Sequence, residues 1–486
     1  MLAVSAPSSA QETEPTAADT PNKKPIQQWQ FEPRISLATI YSNNVDLAPP
    51  GLEEDEVAWQ IAPEITIKRS SERLDLDVNY RFEQIGYQQE SGRNESFQQA
   101  QAHIVAELVR SRFFVEVNGS LDQQVIDPEG TFPPSNIPLT ANRIDAVNGE
   151  VAPYWRQPLG GLGDLEMRYD RAMVDYGAPP ETNPTEQIQD VDRQQGFITL
   201  TSPAHRQGTT WGFNYHYDRQ DFPDFSEVEF EEASVDLGYK ISGNVRVFGT
   251  GGAESDWREH RSTAELDDSF WELGFAYVTP GRDDFSITIG QRTFGDTFGL
   301  NWVHTFQGFR AVVHYFEDPS TNAGARFQTD ESLQIPGNVL DRPNDVSVFL
   351  RRRLEGGVNW DRGRSLWTLG LYAEERSDRV NDPDAIEDFG EERIKGANGN
   401  WTWKAGVRTD LGFGLGWERS ELTDGRDFDI VHGSTEAHYA LGQRTGLRLK
   451  IEYATRGGDP QVNVAPGDVA NFDETRVSFF IERNFF

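Results

Sequence analysis

Residues Leu74–Glu83 read LDLDVNYRFE: Leu74, Leu76, Val78, Tyr80 and Phe82 alternate with Asp75, Asp77, Asn79, Arg81 and Glu83. A β-strand points successive side chains to opposite faces, so it sorts this stretch into one apolar and one polar set. The same two-residue period recurs at Trp211–Tyr217, Trp271–Tyr277 and Leu447–Tyr453. No ten-residue helical pattern separates such runs. Parallel βαβ units are therefore excluded, and the chain reads as all-β.

The breaks between runs alternate in length. Arg69–Arg73, Arg110–Arg112, Ser242–Asn244, Pro280–Asp283, Gln307-Gly308, Asp361–Arg364 and Gly442–Gly446 are short and rich in arginine. Ser42–Glu56, Ile126–Ala141, Val174–Asp190, Glu254–Asp268, Glu317–Asp345, Arg376–Glu392 and Ala454–Asp473 are long and acidic. With Gly86–Ser96, Asp218–Glu227, Phe294–Thr297 and Glu418–Asp429 counted among the long set, their charges sum to −34, the formal net charge of the whole chain. A soluble sandwich has no reason to sort loops by length and charge. A transmembrane antiparallel up-and-down β-barrel does, with short periplasmic turns and long acidic extracellular loops. Counting runs from Trp29–Tyr41 to Thr475–Phe485 predicts about 22 strands; weak runs at Leu162, Val245 and Arg393 set a range of 18–22. An even count returns both chain ends to the periplasm.

Composition supports the same class. No stretch approaches the ~18 consecutive apolar residues of a membrane helix. The charge of −34 opposes binding to nucleic acid. The absence of cysteine removes disulfide scaffolds, thiolate metal sites and Cys nucleophiles. Residues 1–28 stand apart from the barrel of 29–486. Met1–Ala10 reads as a truncated export signal, and Gln11–Gln28 as a disordered linker. At the other end, Val477, Phe479, Ile481 and Phe485 form an alternating aromatic-rich strand. Arg483 interrupts it, and Phe486 is one residue out of phase.

The stretches FEPRISLATIYSNNVDLAPPGLEEDEVAWQIAPEITIK (Phe31–Lys68) and ITIGQRTFGDTFGLNWVHTFQGFRAVVHYFEDPST (Ile287–Thr321) resemble the outer-membrane proteins associated with the PEP-CTERM/exosortase system, a branch of the β-barrel porins. The resemblance spans most of Gln28–Phe486 and contains no catalytic motif. It implies a Gram-negative outer membrane, lipid and lipopolysaccharide as surroundings, and exopolysaccharide synthesis and export proteins as neighbours.

The chain carries no Gly-x-Ser-x-Gly, P-loop, dinucleotide or His-Glu-x-x-His motif, so it is read as no enzyme and as needing no cofactor. The pore-lining candidates lie on the polar parity: Asp75, Asp77, Arg81, Glu83, Glu166, Arg168, Glu272, Arg351, Arg353, Glu355, Arg448, Lys450 and Glu452. Mixed signs there suit a hydrated channel for polar solutes, or else a plain salt-bridged wall. His304 and His314 flank one tight turn; without a carboxylate partner they read as lumen or interface residues. The acidic loop Asp378, Asp382, Asp384, Glu387, Asp388, Glu391, Glu392 could hold Ca²⁺ but lacks EF-hand spacing, so it reads as solvated acid. Arg352 sits on the apolar parity, either as a register break or against lipid phosphates. A barrel this wide leaks unless loops fold inward or a partner fills it. Two functions remain: a conduit for exopolysaccharide or another polar solute, and a closed docking barrel anchoring a secretion or surface assembly. A soluble carbohydrate-active enzyme leaves the sorted loops unexplained.

Overall fold

The computed structural model describes residues 29–126, 135–140, 142–177, 188, 190–203, 208–223, 227–255, 266, 268–322, 324, 347–380, 391–423, 425–458 and 471–485. The proposed signal and linker of residues 1–28 lie outside them.

Twenty-two strands form along the chain. They are β1 (Gln30–Ser42), β2 (Glu56–Ser70), β3 (Leu74–Tyr87), β4 (Glu95–Val109), β5 (Phe113–Gln124), β6 (Ile144–Pro158), β7 (Asp164–Tyr176), β8 (Val191–Thr201), β9 (Thr209–Asp221), β10 (Val228–Lys240) and β11 (Val245–Glu254). The second half supplies β12 (Asp268–Thr279), β13 (Asp283–Arg292), β14 (Gly295–Phe306), β15 (Phe309–Thr321), β16 (Val348–Asp361), β17 (Ser365–Val380), β18 (Glu392–Lys404), β19 (Thr409–Glu421), β20 (Asp427–Ala440), β21 (Thr445–Gly458) and β22 (Phe472–Asn484). Each strand pairs antiparallel with the next, and β22 closes on β1 from Arg34↔Asn484 to Ser42↔Arg476. Closure removes every sheet edge, so all ladder hydrogen bonds are met inside the sheet. The strands expected to be weak all form, so the count stands at 22.

The outer face carries the apolar parity. Leu237, Leu273, Leu371 and Leu415 are each more than half exposed. Aromatic rings gather near the short turns, including a stack of Trp367 on Trp401 at 4.8 Å and of Trp401 on Phe413 at 5.1 Å. Near the long loops, outward rings hand their polar atoms to acids: Tyr217 donates to Glu229 at 2.9 Å and Trp417 to Asp429 at 2.9 Å. An apolar belt between two aromatic girdles is the exterior of a barrel in lipid. The protein is thus an integral β-barrel of the Gram-negative outer membrane.

Connections of two to seven residues close one end. All the connections longer than seven residues lie at the other end, reaching 26 residues between β15 and β16. Four connections expected to be long fall within the two-to-seven-residue range of the opposite end: those between β3 and β4, β9 and β10, and β19 and β20, and that between β13 and β14, which are joined by Thr293 and Phe294 alone. Glycine at positive φ allows this sharp reversal at Gly295 (φ 113°).

Candidate functional site: the barrel interior

Cross-strand partners share a face, so the register assigns all thirteen polar-parity candidates to the interior. Most are ion-paired there. Asp77 meets Lys68 at 3.0 Å, Arg81 meets Glu83 at 2.6 Å, and Glu166 meets Arg156 at 2.7 Å. Asp75 lies opposite Ser70, beside the short turn. Arg168 reaches Glu116 at 2.8 Å and Asp170 at 2.7 Å. Lys450 meets Glu452 at 2.7 Å, and Arg448 meets Glu482 at 2.8 Å.

The densest clusters sit near the long-loop end and include residues outside the thirteen. Glu374, fully buried, holds Arg351 at 2.9 Å, Arg353 at 2.7 Å and Arg376 at 2.8 Å; Arg353 also meets Glu355 at 2.8 Å. Arg193 and Asp218 form a buried two-point pair. Arg292 gathers Glu232 at 2.6 Å, Glu254, and Glu272 at 3.8 Å. Buried charges of this kind survive only with close partners, and they fix geometry more than they add stability. Arg193, Asp218, Arg292, Glu374 and Arg376 obey the same parity as the thirteen. The parity extended to the upper strand ends would have found them. Asp218 and Arg376 fall in stretches that the sequence reads as long connections, because β9 and β17 run further than their apolar alternation does.

The upper mouth is narrowed from two sides. On one side the β15–β16 hairpin leans inward. Asp318–Thr321 and Val348–Arg351 are buried on both faces. Val348 and Leu350 pack with Val174, Val191, Phe222, Val228 and Phe230, which belong to β7, β8, the end of β9, and β10. Thr321 bonds Gln220 at 2.5 Å, and Arg376 bonds Asn322 at 2.8 Å. In a circular barrel of 22 strands, about 4.8 Å apart and tilted about 40°, β8 and β16 would stand roughly 40 Å apart. The hairpin therefore crosses a pinched mouth. A register shift between Val348 and Leu350 accompanies the bend.

On the other side, residues 135–140 lie against the inner wall. Arg476 donates to Ser135 at 2.6 Å, Asn136 to Glu83 at 3.2 Å, and Tyr87 to the Ile137 carbonyl at 2.8 Å. Ile137 and Leu139 pack with Val45, Ile85 and Phe97. At the foot of this segment, burial pulls the Arg143 guanidinium below its ordinary value and Glu95 opposes the shift; so strong a base stays cationic at neutral pH.

Elsewhere along the wall, glycines let large inner side chains lie flat. A Cβ on Gly274 would stand 2.2 Å from the Phe248 ring, one on Gly416 2.1 Å from His432, and one on Gly446 2.5 Å from His438. Ring against glycine keeps bulky groups out of the bore.

His304 and His314 fall on opposite faces. His304 faces outward, stacks near Trp302 and, contrary to expectation, has a carboxylate partner, Asp283 at 2.6 Å. His314 faces inward, 3.8 Å from Glu355. Both acids come from neighbouring strands, which sequence distance conceals. Arg352 is outward and bonded to Glu375 at 2.9 Å, close to the register shift. Outward Arg219 and Arg419 each gather three acids of their own hairpins: Asp221, Glu227 and Glu229, and Glu421, Asp427 and Asp429. Of the suggested Ca²⁺ loop, Asp382, Asp384, Glu387 and Asp388 lie outside the described residues, as does the side chain of Asp378. Glu391 meets Arg393 at 2.5 Å.

No family model and no curated protein matches the chain. Among solved structures, it is similar to the siderophore receptor PirA from Acinetobacter baumannii, at 8% identity and a TM-score of 0.47, covering 94% of this chain and 80% of that one. A variant of the ferric enterobactin receptor PfeA from Pseudomonas aeruginosa, in complex with enterobactin, gives 9% identity and a TM-score of 0.49 over 93% and 81%. The outer membrane protein opdK from Pseudomonas aeruginosa gives 10% identity and a TM-score of 0.35 over 94% and 99%.

Proposed function

We propose that the protein is a gated outer-membrane conduit for a polar, hydroxylated solute, and that exopolysaccharide is its cargo. The observation that carries the reading is the bore: a polar, ion-paired wall on which glycines let large rings lie flat, under a mouth narrowed by non-covalent contacts. A barrel meant only as an anchor gains nothing from rings folded flat against its inner wall. A bore that must pass a chain does. The link to exopolysaccharide rests on the resemblance of Phe31–Lys68 and Ile287–Thr321 to barrels of the exosortase system. Periplasmic polysaccharide-export proteins would then deliver the polymer to the short-turn end. The thirteen polar-parity residues serve as pore lining in this reading, with Arg351 and Arg353 at the narrow mouth.

The test joins planar-bilayer recording with a deletion strain. The purified barrel should conduct, and cells without it should retain polymer in the periplasm. A barrel that never conducts, from a strain that exports normally without it, would establish the docking role instead.

A further inference from the structure

Four adjacent short turns line one arc of the periplasmic mouth: β14–β15, β16–β17, β18–β19 and β20–β21. With the two strand residues on each side, they carry Arg310, Arg362, Arg364, Lys404, Arg408 and Arg444 against two carboxylates, Asp361 and Asp410. The arc is thus net positive in a chain of net charge −34. All six cations are exposed, and among the described residues none is ion-paired. Arg362 lies over the Trp360 ring at 4.5 Å, and Arg444 donates to the Phe485 carbonyl at 3.2 Å. The side chains of Arg310, Arg364, Lys404 and Arg408 have no partner. At the opposite mouth Arg193, Arg292, Arg351, Arg353 and Arg376 all hold carboxylates.

The four bare cations continue the inward parity of their strands: Arg310 that of His314, Arg364 that of Glu374, Lys404 and Arg408 that of Glu418. They border the bore and turn away from lipid headgroups. The Lys404 N–H donates to the Arg364 carbonyl at 2.8 Å, which makes these two residues direct cross-strand neighbours. Like charges so placed destabilise a sheet. Asp410 stands opposite Lys404 in the register, yet the two are not ion-paired. An anion seated across Arg364 and Lys404 turns their repulsion into attraction. From Arg310 to Arg408 the arc crosses four strands, roughly 25 Å at the usual strand spacing and tilt. One small anion cannot meet all four cations; an extended one can.

From these features we infer that this arc is the entry site for an extended polyanion, which the conduit reading makes an acidic polysaccharide. The inference rests on that reading for its purpose but is tested independently of conductance. Exposed ion pairs are individually weak, so a chain is collected at the mouth without being trapped there. The acidic extracellular connections do not bar its approach, because fixed charges are screened within about 8 Å at physiological salt and the arc lies a membrane thickness away.

The test uses the full chain in phosphatidylcholine nanodiscs, with hexagalacturonate as the polyanionic probe and maltohexaose as its neutral counterpart. Calorimetric titration should show hexagalacturonate binding that weakens as salt is raised, and weaker or no binding of maltohexaose. Arg364→Gln with Lys404→Gln should weaken hexagalacturonate by about three- to tenfold, the worth of two exposed ion pairs. Arg310→Gln with Arg408→Gln is the second variant, and Arg393→Gln, beside the long loops and paired with Glu391, should change nothing. The heat-dependent gel mobility of each variant checks folding. Unaltered binding in both double variants would place the anion elsewhere on the barrel and overturn the entry site, as would equal binding of maltohexaose. Nanodiscs containing phosphatidylglycerol test the lipid alternative: if that lipid abolishes hexagalacturonate binding, the arc is a headgroup site and the inference falls. Hexagalacturonate binding without conductance in bilayers would overturn the conduit and leave the entry site standing. Conductance without such binding would overturn the entry site and spare the conduit.

Discussion

Leu350→Ala probes the narrowing of the mouth most directly. Leu350 is fully buried between the leaning β15–β16 hairpin and the inner faces of β7–β10. If the mouth opens by lifting this hairpin, the side chain passes from a packed cluster to water. Truncating a buried leucine to alanine costs about 2–5 kcal/mol. That cost falls on the closed state, so the open-to-closed ratio should rise by on the order of 30- to 3,000-fold. The assay is single-channel recording at fixed voltage, reading the fraction of time spent in the high-conductance state. Leu371→Ala, on the lipid-facing side, supplies the control and should leave that fraction unchanged. The chain has no cysteine, so a second experiment can work in the opposite direction. Gln220→Cys with Thr321→Cys, joined by a short bis-maleimide, should hold the mouth shut, because the native side chains touch at 2.5 Å. A correctly folded Leu350→Ala barrel whose open fraction equals that of the parent would refute the hairpin as a gate.

Gly274→Val should push the Phe248 ring off the wall and lower conductance, and adding Phe248→Ala should restore it; unrestored conductance would show that the glycine serves another purpose. Glu374→Gln leaves three buried guanidinium groups without their shared carboxylate. Its unfolding temperature on heated gels should fall markedly, since breaking such a pair costs about 3–5 kcal/mol, whereas an unchanged temperature would mean water already serves these arginines. An epitope inserted within 381–390 should be labelled on intact cells and one within 442–444 should not; the opposite pattern would invert the topology. The unboiled protein should run faster on SDS gels than the boiled one, with equal mobilities counting against a closed barrel.

Much of this architecture is local, and local features are legible in sequence. Alternation in Leu74–Glu83 reports a strand and its two faces because neighbouring side chains are forced to opposite sides. Arg-rich breaks of a few residues report tight turns because antiparallel neighbours need no more chain than that. The parity that assigns Arg351, Arg353 and Glu355 to the interior follows from Leu354 facing lipid. The sequence alone therefore determined an all-β up-and-down barrel of 18–22 strands, the two faces of each strand and the end that carries the longest connections.

What it left open is which inward residues meet. Parity says that Glu374 faces the bore, but not that it will gather Arg351, Arg353 and Arg376. It says that His314 and His304 lie near one turn, but an even separation along the chain is interrupted by the reversal, and they end on opposite faces. Thr321 and Gln220 are 101 residues apart, and Arg476 and Ser135 are 341 apart. Contacts of that kind depend on how the closed wall is pinched and where the long connections come to rest. Both are set by packing across the bore, a dimension in which a two-residue period carries no information. The strands were written one residue after another; the narrowed mouth exists only once the sheet has closed and its opposite sides have met.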